Sequence, residues 1–144
     1  MNKNINTYII IIIVSLCSIF NIKCSSKKND KFASIDLKTL MPIEKFNELE
    51  ICDCNKQANI ILDNSILIRN NFKSMSELKQ DDKSISYIKL FSKRWTTLLN
   101  SCFRKHGANM WMPSDCNDLE IIEEKKLFLY NLGIQIDQGG NIKL

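Results

Sequence analysis

Between residues 84 and 106 the apolar side chains Ile88, Phe91, Trp95, Leu98, Leu99, Cys102 and Phe103 recur at intervals of three and four. That spacing places them on one face of an α-helix for over four turns. Lys89, Lys93, Arg94, Arg104 and Lys105 fall mostly on the other side. Arg104, Lys105 and His106 suit the negative C-terminal end of such a helix, and Gly107 suits a left-handed stop. A second helical pattern runs over 55–72 through Ala58, Ile61, Leu62, Ser65, Ile68 and Phe72, with Asp53, Cys54 and Asn55 as short polar residues at its start. A third, over 116–132, sets Leu119, Ile122, Phe128 and Leu129 against a wet face of Glu120, Glu123, Glu124, Lys125 and Lys126. Ser114 or Asp115 is its expected cap and Gly133 its stop.

A short helix is expected within 32–49, with Pro42 in its first turn and Thr39 or Met41 near the cap. The polar stretch 73–84 reads as the frayed end of the preceding helix followed by a loop, and 108–113 reads as a loop carrying Trp111. At the end, Ile134/Ile136 and Ile142/Leu144 flank Gly139-Gly140, a pattern that could close a small hairpin. The predicted fold is mainly α, a bundle of three or four helices with a short C-terminal hairpin as an optional addition. Short loops between amphipathic helices favour antiparallel neighbours.

The beginning of the chain follows a different plan. A polar start with Lys3 leads into an apolar run over 8–20, centred on five consecutive isoleucines, Ile9 to Ile13. The run is shorter than the roughly 17–25 residues a transmembrane helix needs, and Asn21 and Lys23 follow at once. This is the plan of a secretory signal peptide over 1–23, with an uncleaved anchor as the alternative.

After that run comes Cys24-Ser25-Ser26-Lys27-Lys28-Asn29-Asp30, a cysteine leading into a polar tether. The arrangement resembles the start of a mature bacterial lipoprotein, in particular the small lipoproteins of Bacteroidota. The resemblance implies that Cys24 receives a diacylglycerol on sulfur and becomes the new N-terminus. Cys17 is the competing site. The resemblance also implies membrane attachment through the lipid anchor, and Ser25 is compatible with outer-membrane delivery. Each buried methylene contributes about 0.8 kcal/mol, so two or three acyl chains hold a protein durably at a bilayer. The expected organisation is a signal peptide over 1–23, an acylated cysteine and tether over 24–34, and a helical domain over 35–144. The expected location is the cell envelope, facing the periplasm, with simple secretion as the alternative.

Composition narrows the function further. The chain has 144 residues, with 20 Lys+Arg against 16 Asp+Glu, a net charge of +4. That length accommodates one domain. A mild, dispersed positive charge argues against a nucleic-acid partner. The excess of lysine over arginine, with abundant isoleucine and asparagine, is the mark of an A+T-rich coding sequence and carries no chemistry of its own.

Four cysteines lie in the domain: Cys52, Cys54, Cys102 and Cys116. An even set in an exported chain points to two disulfides, and four cysteines allow three pairings. A Cys52–Cys54 bond would close a very small, strained ring, so each is expected to pair with Cys102 or Cys116. Two sharper readings stand beside this one. Cys52-Asp53-Cys54 could be a redox-active motif, given a thiolate at a helix N-terminus. Alternatively Cys102 and His106, four apart on one helix face, could join Met110 and Met112 in a soft Cu(I) site.

Catalytic constellations are sparse. His106 is the only histidine, so any triad would have to combine it with Ser101 or Ser114, neither on a nucleophile elbow. No glycine-rich phosphate loop is present, and Asp81/Asp82 and Glu123/Glu124 read as solvated faces. No resident cofactor is expected. The sequence therefore predicts a non-enzymatic, lipid-anchored envelope protein whose helical domain serves an accessory or immunity-like role, with an envelope protein as partner. The alternative is a periplasmic copper-binding or thiol-redox module drawing on Cys52, Cys54, Cys102, His106, Met110, Met112 and Cys116.

Overall fold

The computed structural model describes residues 37–139. Among them are four α-helices, α1 (Ile51–Asn70), α2 (Met75–Lys79), α3 (Asp82–His106) and α4 (Leu119–Asn131), and three 3-10 segments, Ile43–Glu48, Gly107–Trp111 and Ile136–Gln138. Helix α1 packs along both α3 and α4, and all three 3-10 segments lie against α3. The domain is a small helical bundle braced by two disulfides, Cys52–Cys116 and Cys54–Cys102.

Helix α3 is the central column. Its stripe of Ile88, Phe91, Trp95, Leu98 and Cys102 is almost wholly buried. Burial of each large apolar side chain contributes roughly 1.5–3 kcal/mol relative to exposure. Asp81 caps the helix, its carboxylate accepting from the Ser84 amide at 2.8 Å. Phe103 extends the stripe in sequence but is 53% exposed, because it lies about 100° round the axis from the buried Cys102, at the solvent edge of the stripe.

Helix α1 begins at Ile51, four residues earlier than expected. The Cys54 amide donates to the Glu50 carbonyl at 2.8 Å, so Cys52 and Cys54 already belong to the helical ladder. Its buried face follows the expected positions Ala58, Ile61, Leu62, Ser65 and Ile68. The buried Arg69 then ties two helix ends together. Its Nε donates to the Leu132 carbonyl at 3.0 Å and its Nη1 to the Phe72 carbonyl at 2.8 Å.

The polar stretch after α1 is not simply loop. Ser74 accepts from the Glu77 amide at 3.1 Å, while Glu77 Oε2 accepts from the Lys73 amide at 2.9 Å. This reciprocal cap builds α2 and seats Leu78 fully in the core. The Ser-x-x-Glu spacing at 74–77 carried that signal.

Helix α4 starts at Leu119, later than expected, because Asp118 and not Ser114 or Asp115 caps it: Asp118 Oδ1 accepts from the Ile121 amide at 3.1 Å. Cys116 lies before the helix, in a turn closed by the Ser114 and Asn117 backbones. At the other end the Ile134 amide donates to Leu129 O and the Gly133 amide to Tyr130 O, both at 2.9 Å. This is a Schellman ending, with Gly133 at φ +86° and the fully buried Leu129 and Ile134 completing it.

The expected hairpin does not form in its first arm. Ile134 and Ile136 are buried and the chain turns through Ile136–Gln138, where Ser92 Oγ donates to the Ile136 carbonyl at 2.6 Å. The isoleucines dock onto α3, which satisfies their burial without a partner strand. The second arm, at Ile142 and Leu144, lies outside the described residues. The short N-terminal helix is a 3-10 segment preceded by Pro42, with no side-chain cap. The Arg94 guanidinium stands over the Phe46 ring, 5.3 Å from its centre, and donates to the Met41 carbonyl. Its partial burial lowers the Arg94 pKa, opposed by the Glu44 charge.

Candidate functional site

The cysteines gather at one end of the bundle. Residues two apart on a helix point to nearly opposite sides, so the two sulfurs of the Cys-x-Cys motif serve different partners. Cys54 faces inward and joins Cys102 of α3, both buried, with Cα atoms 6.3 Å apart. Cys52 faces outward and joins Cys116 in the turn before α4, both exposed, with Cα atoms 5.2 Å apart. The bonds are nested, spanning 48 and 64 residues, and fix the start of α1 to α3 and to the entry of α4.

Beside the inner bond a cavity of about 40 Å³ is walled by Ile51, Cys54, Trp95, Cys102, Met110 and Ile122. It has room for water and not for an organic cofactor. Asn117 closes one side of this end. It is buried, donates through Nδ2 to the carbonyls of Met110 at 3.0 Å and Met112 at 2.8 Å, and accepts from Asn55 Nδ2 at 3.3 Å. Asn55 Nδ2 also donates to the Asp118 carbonyl at 3.0 Å. This asparagine pair was not among the candidate residues of the sequence. A polar residue just after a turn cysteine was its only sign.

The last turn of α3 reaches across to the entry of α1. Lys105 Nζ donates to the carbonyls of Glu48 at 2.9 Å and Leu49 at 3.0 Å, and to Glu50 Oε1 at 2.8 Å. His106 Nε2 donates to the Leu49 carbonyl at 2.8 Å. The hydrogen bond and charge of Lys105 hold the Glu50 carboxyl below its ordinary pKa. These two basic residues thus cap another segment as well as their own helix end.

That placement bears on the candidate copper ligands. Cys102 sulfur is bonded to Cys54, the His106 ring nitrogen faces a backbone carbonyl, Met110 is buried and Met112 is exposed. A thiolate ligand requires a free sulfur, and Cys52, Cys54, Cys102 and Cys116 are all paired. Among the described residues no three or more His, Cys, Asp or Glu side chains cluster in a way that could hold a metal ion. Cys17 and Cys24 lie outside the described residues. No described helix is long and apolar enough to cross a membrane.

The other notable surface is the outward side of α4. Ile122 and Leu129 point into the core, and Lys125 binds Asp63 and Asn59 of α1, each at 2.7 Å. On the solvent side Ile121, Leu127, Phe128 and Tyr130 are 41%, 60%, 45% and 58% exposed. Phe128, expected on the buried face, is therefore outside: it lies about a third of a turn from Leu129 and Ile122. A groove of about 180 Å³ runs beside Leu127 and Tyr130, with Ile134, Ile136 and Asp137 on its far side.

Comparisons with protein-family models, curated proteins and solved structures found no match to this chain.

Proposed function

We propose that this chain is a lipid-anchored envelope protein, held at the membrane through Cys24, whose helical domain faces the periplasm and binds a protein partner in an accessory or immunity-like role. The observation that supports this reading best is the use of cysteine. All four cysteines of the helical domain are consumed in two disulfides, an arrangement that belongs to an oxidising compartment. The two remaining, Cys17 and Cys24, stand within or directly after the apolar leader. Cys24 is then the acceptor for the acyl chains, and the polar residues after it are the tether. The partner-binding half of the proposal is supported by the apolar side chains that α4 leaves in solvent.

Intact-mass analysis of the natively exported protein tests the anchoring half. The expected product begins at Cys24, carries a diacylglycerol adduct and contains two disulfides. Cys24→Ala should abolish acyl labelling. Retained labelling, or labelling lost only in Cys17→Ala, would reject Cys24. A full-length, unmodified product with reduced cysteines would overturn the proposal.

A further inference from the structure

We propose that the outer face of α4, with the groove beside it, is the docking surface for a cationic amphipathic helix of a protein partner. The inference rests on the partner-binding reading above and names its surface and the chemistry of the partner.

A surface helix normally keeps one apolar stripe for the core. Helix α4 spends that stripe on Ile122 and Leu129, yet carries four more large apolar side chains on its solvent side. Contiguous exposed apolar groups rimmed by charge are the mark of an interaction surface. Here the unpaired charge is acidic, because Lys126, the cation that lines the groove, is matched by Glu123 beside it. Glu120 and Glu124 stand among Ile121, Leu127 and Phe128, and Asp137 lies across the groove from Tyr130. Among the described residues these three acids form no ion pair. The lysines of α4 are already engaged, Lys125 by Asp63 and Lys126 by Glu123 at 2.9 Å. The face thus offers apolar anchors and free negative charge, and no free cation.

Charge complementarity selects the occupant. A second copy of this chain would set the same acids against one another, and an anionic bilayer would be repelled. A helix with leucine-like residues on one side and lysine or arginine flanking them matches both the anchors and the rim, in the helix-in-groove mode.

The test uses the exported Cys24→Ser chain, which keeps the whole domain and carries no acyl group, with both disulfides oxidised. Its probe is a synthetic peptide of about four helical turns with leucines on one face and lysines on the other. Amide resonances of Leu127, Phe128, Tyr130 and Asp137 should shift on titration. Leu127→Ser and the double variant Glu120→Lys/Glu124→Lys should each weaken binding about tenfold or more, while leaving the other resonances in place. All three positions face solvent, and an unchanged far-UV circular dichroism spectrum of each variant verifies the fold. A control peptide with glutamates in place of lysines should not bind. Shifts confined to other helices, equal binding of the acidic peptide, concentration-dependent dimers through this face, or its adsorption to phosphatidylglycerol vesicles would each overturn the inference. The mass of the wild-type product reports on anchoring independently, so failure of one reading leaves the other standing.

Discussion

Asn55 and Asn117, 62 residues apart, meet side chain to side chain where α1 approaches the turn before α4. Asn117 alone satisfies two carbonyls of the segment after α3. Three parts of the chain that share no secondary structure are thereby joined by one buried amide.

Asn117→Ala should accordingly be among the costly polar substitutions. It strands the Met110 and Met112 carbonyls, and a buried acceptor left unpaired costs about 1–3 kcal/mol. Asn117→Asp should be comparably harmful, since a carboxylate has no N–H to donate. Urea denaturation of the oxidised protein checks both. A loss within about 0.5 kcal/mol, the range of ordinary surface substitutions, would show that the network is not structural.

Two of the three described glycines with positive φ separate strain from collision. Gly107 (φ +57°) has nothing within 4 Å of where a Cβ would sit, whereas at Gly133 (φ +86°) a Cβ would meet Met75 Cγ at 2.8 Å. Gly107 combines φ +57° with ψ −139°, a conformation close to the region reserved for glycine, so Gly107→Ala should cost backbone strain alone, about 1–3 kcal/mol. Gly133→Ala should add to its own strain the displacement of Met75 and a loosened Schellman ending. Adding Met75→Ala should recover part of the Gly133→Ala loss and none of the Gly107→Ala loss, which thermal melts of the double variants would read.

Much of this fold could be read from spacing. The stripe from Ile88 to Cys102 determined α3, and Ala58 to Ile68 determined most of α1, because burial along one side demands that periodicity. What escaped was set by single polar contacts. Asp118, not Ser114, starts α4 because its carboxylate reaches the Ile121 amide; several short polar residues in a row look alike until the disulfide at Cys116 fixes the turn. The Ser74–Glu77 cap stands without a periodic pattern behind it, because α2 has only five residues. The outward face of α4 escaped for another reason: Phe128 and Leu129 are adjacent in sequence, and periodicity assigned both to the core, whereas only one side of the helix has neighbours. The pairing of the cysteines required the structure, since both cross-pairings are compatible with the spacing.

The Lys105–Glu50 contact has a definite pH signature. The Glu50 carboxyl is held below its ordinary value, first by the hydrogen bond from Lys105 and then by the Lys105 charge. A depressed carboxyl contributes stability that is present above its unfolded pKa and is lost as pH falls through the folded one. The contribution should thus be intact at neutral pH and decline below about pH 4, the ordinary glutamate range. Carbon-detected titration should give Glu50 a midpoint below the ordinary glutamate value, and Lys105→Met should raise it towards that value. Unchanged titration in Lys105→Met would assign the shift elsewhere.

The nested disulfides should differ in both reactivity and energetic weight. Cys52–Cys116 is exposed and Cys54–Cys102 buried, so a thiolate from solvent reaches the first and not the second. Limited reduction followed by alkylation and mass analysis should label Cys52 and Cys116 before Cys54 and Cys102. Taken singly, loops spanning 48 and 64 residues are each worth about 4 kcal/mol in the chain-entropy model. They are not independent. With Cys54–Cys102 in place, closing Cys52–Cys116 constrains only the short path through the inner bond, so the outer bond then adds about 3 kcal/mol. Replacing Cys52 and Cys116 by serine should therefore leave a folded protein, while replacing Cys54 and Cys102 should destabilise it more, since that change also puts polar groups into the core beside Trp95. Equal losses from the two pairs would mean that burial of the inner bond contributes nothing beyond loop closure.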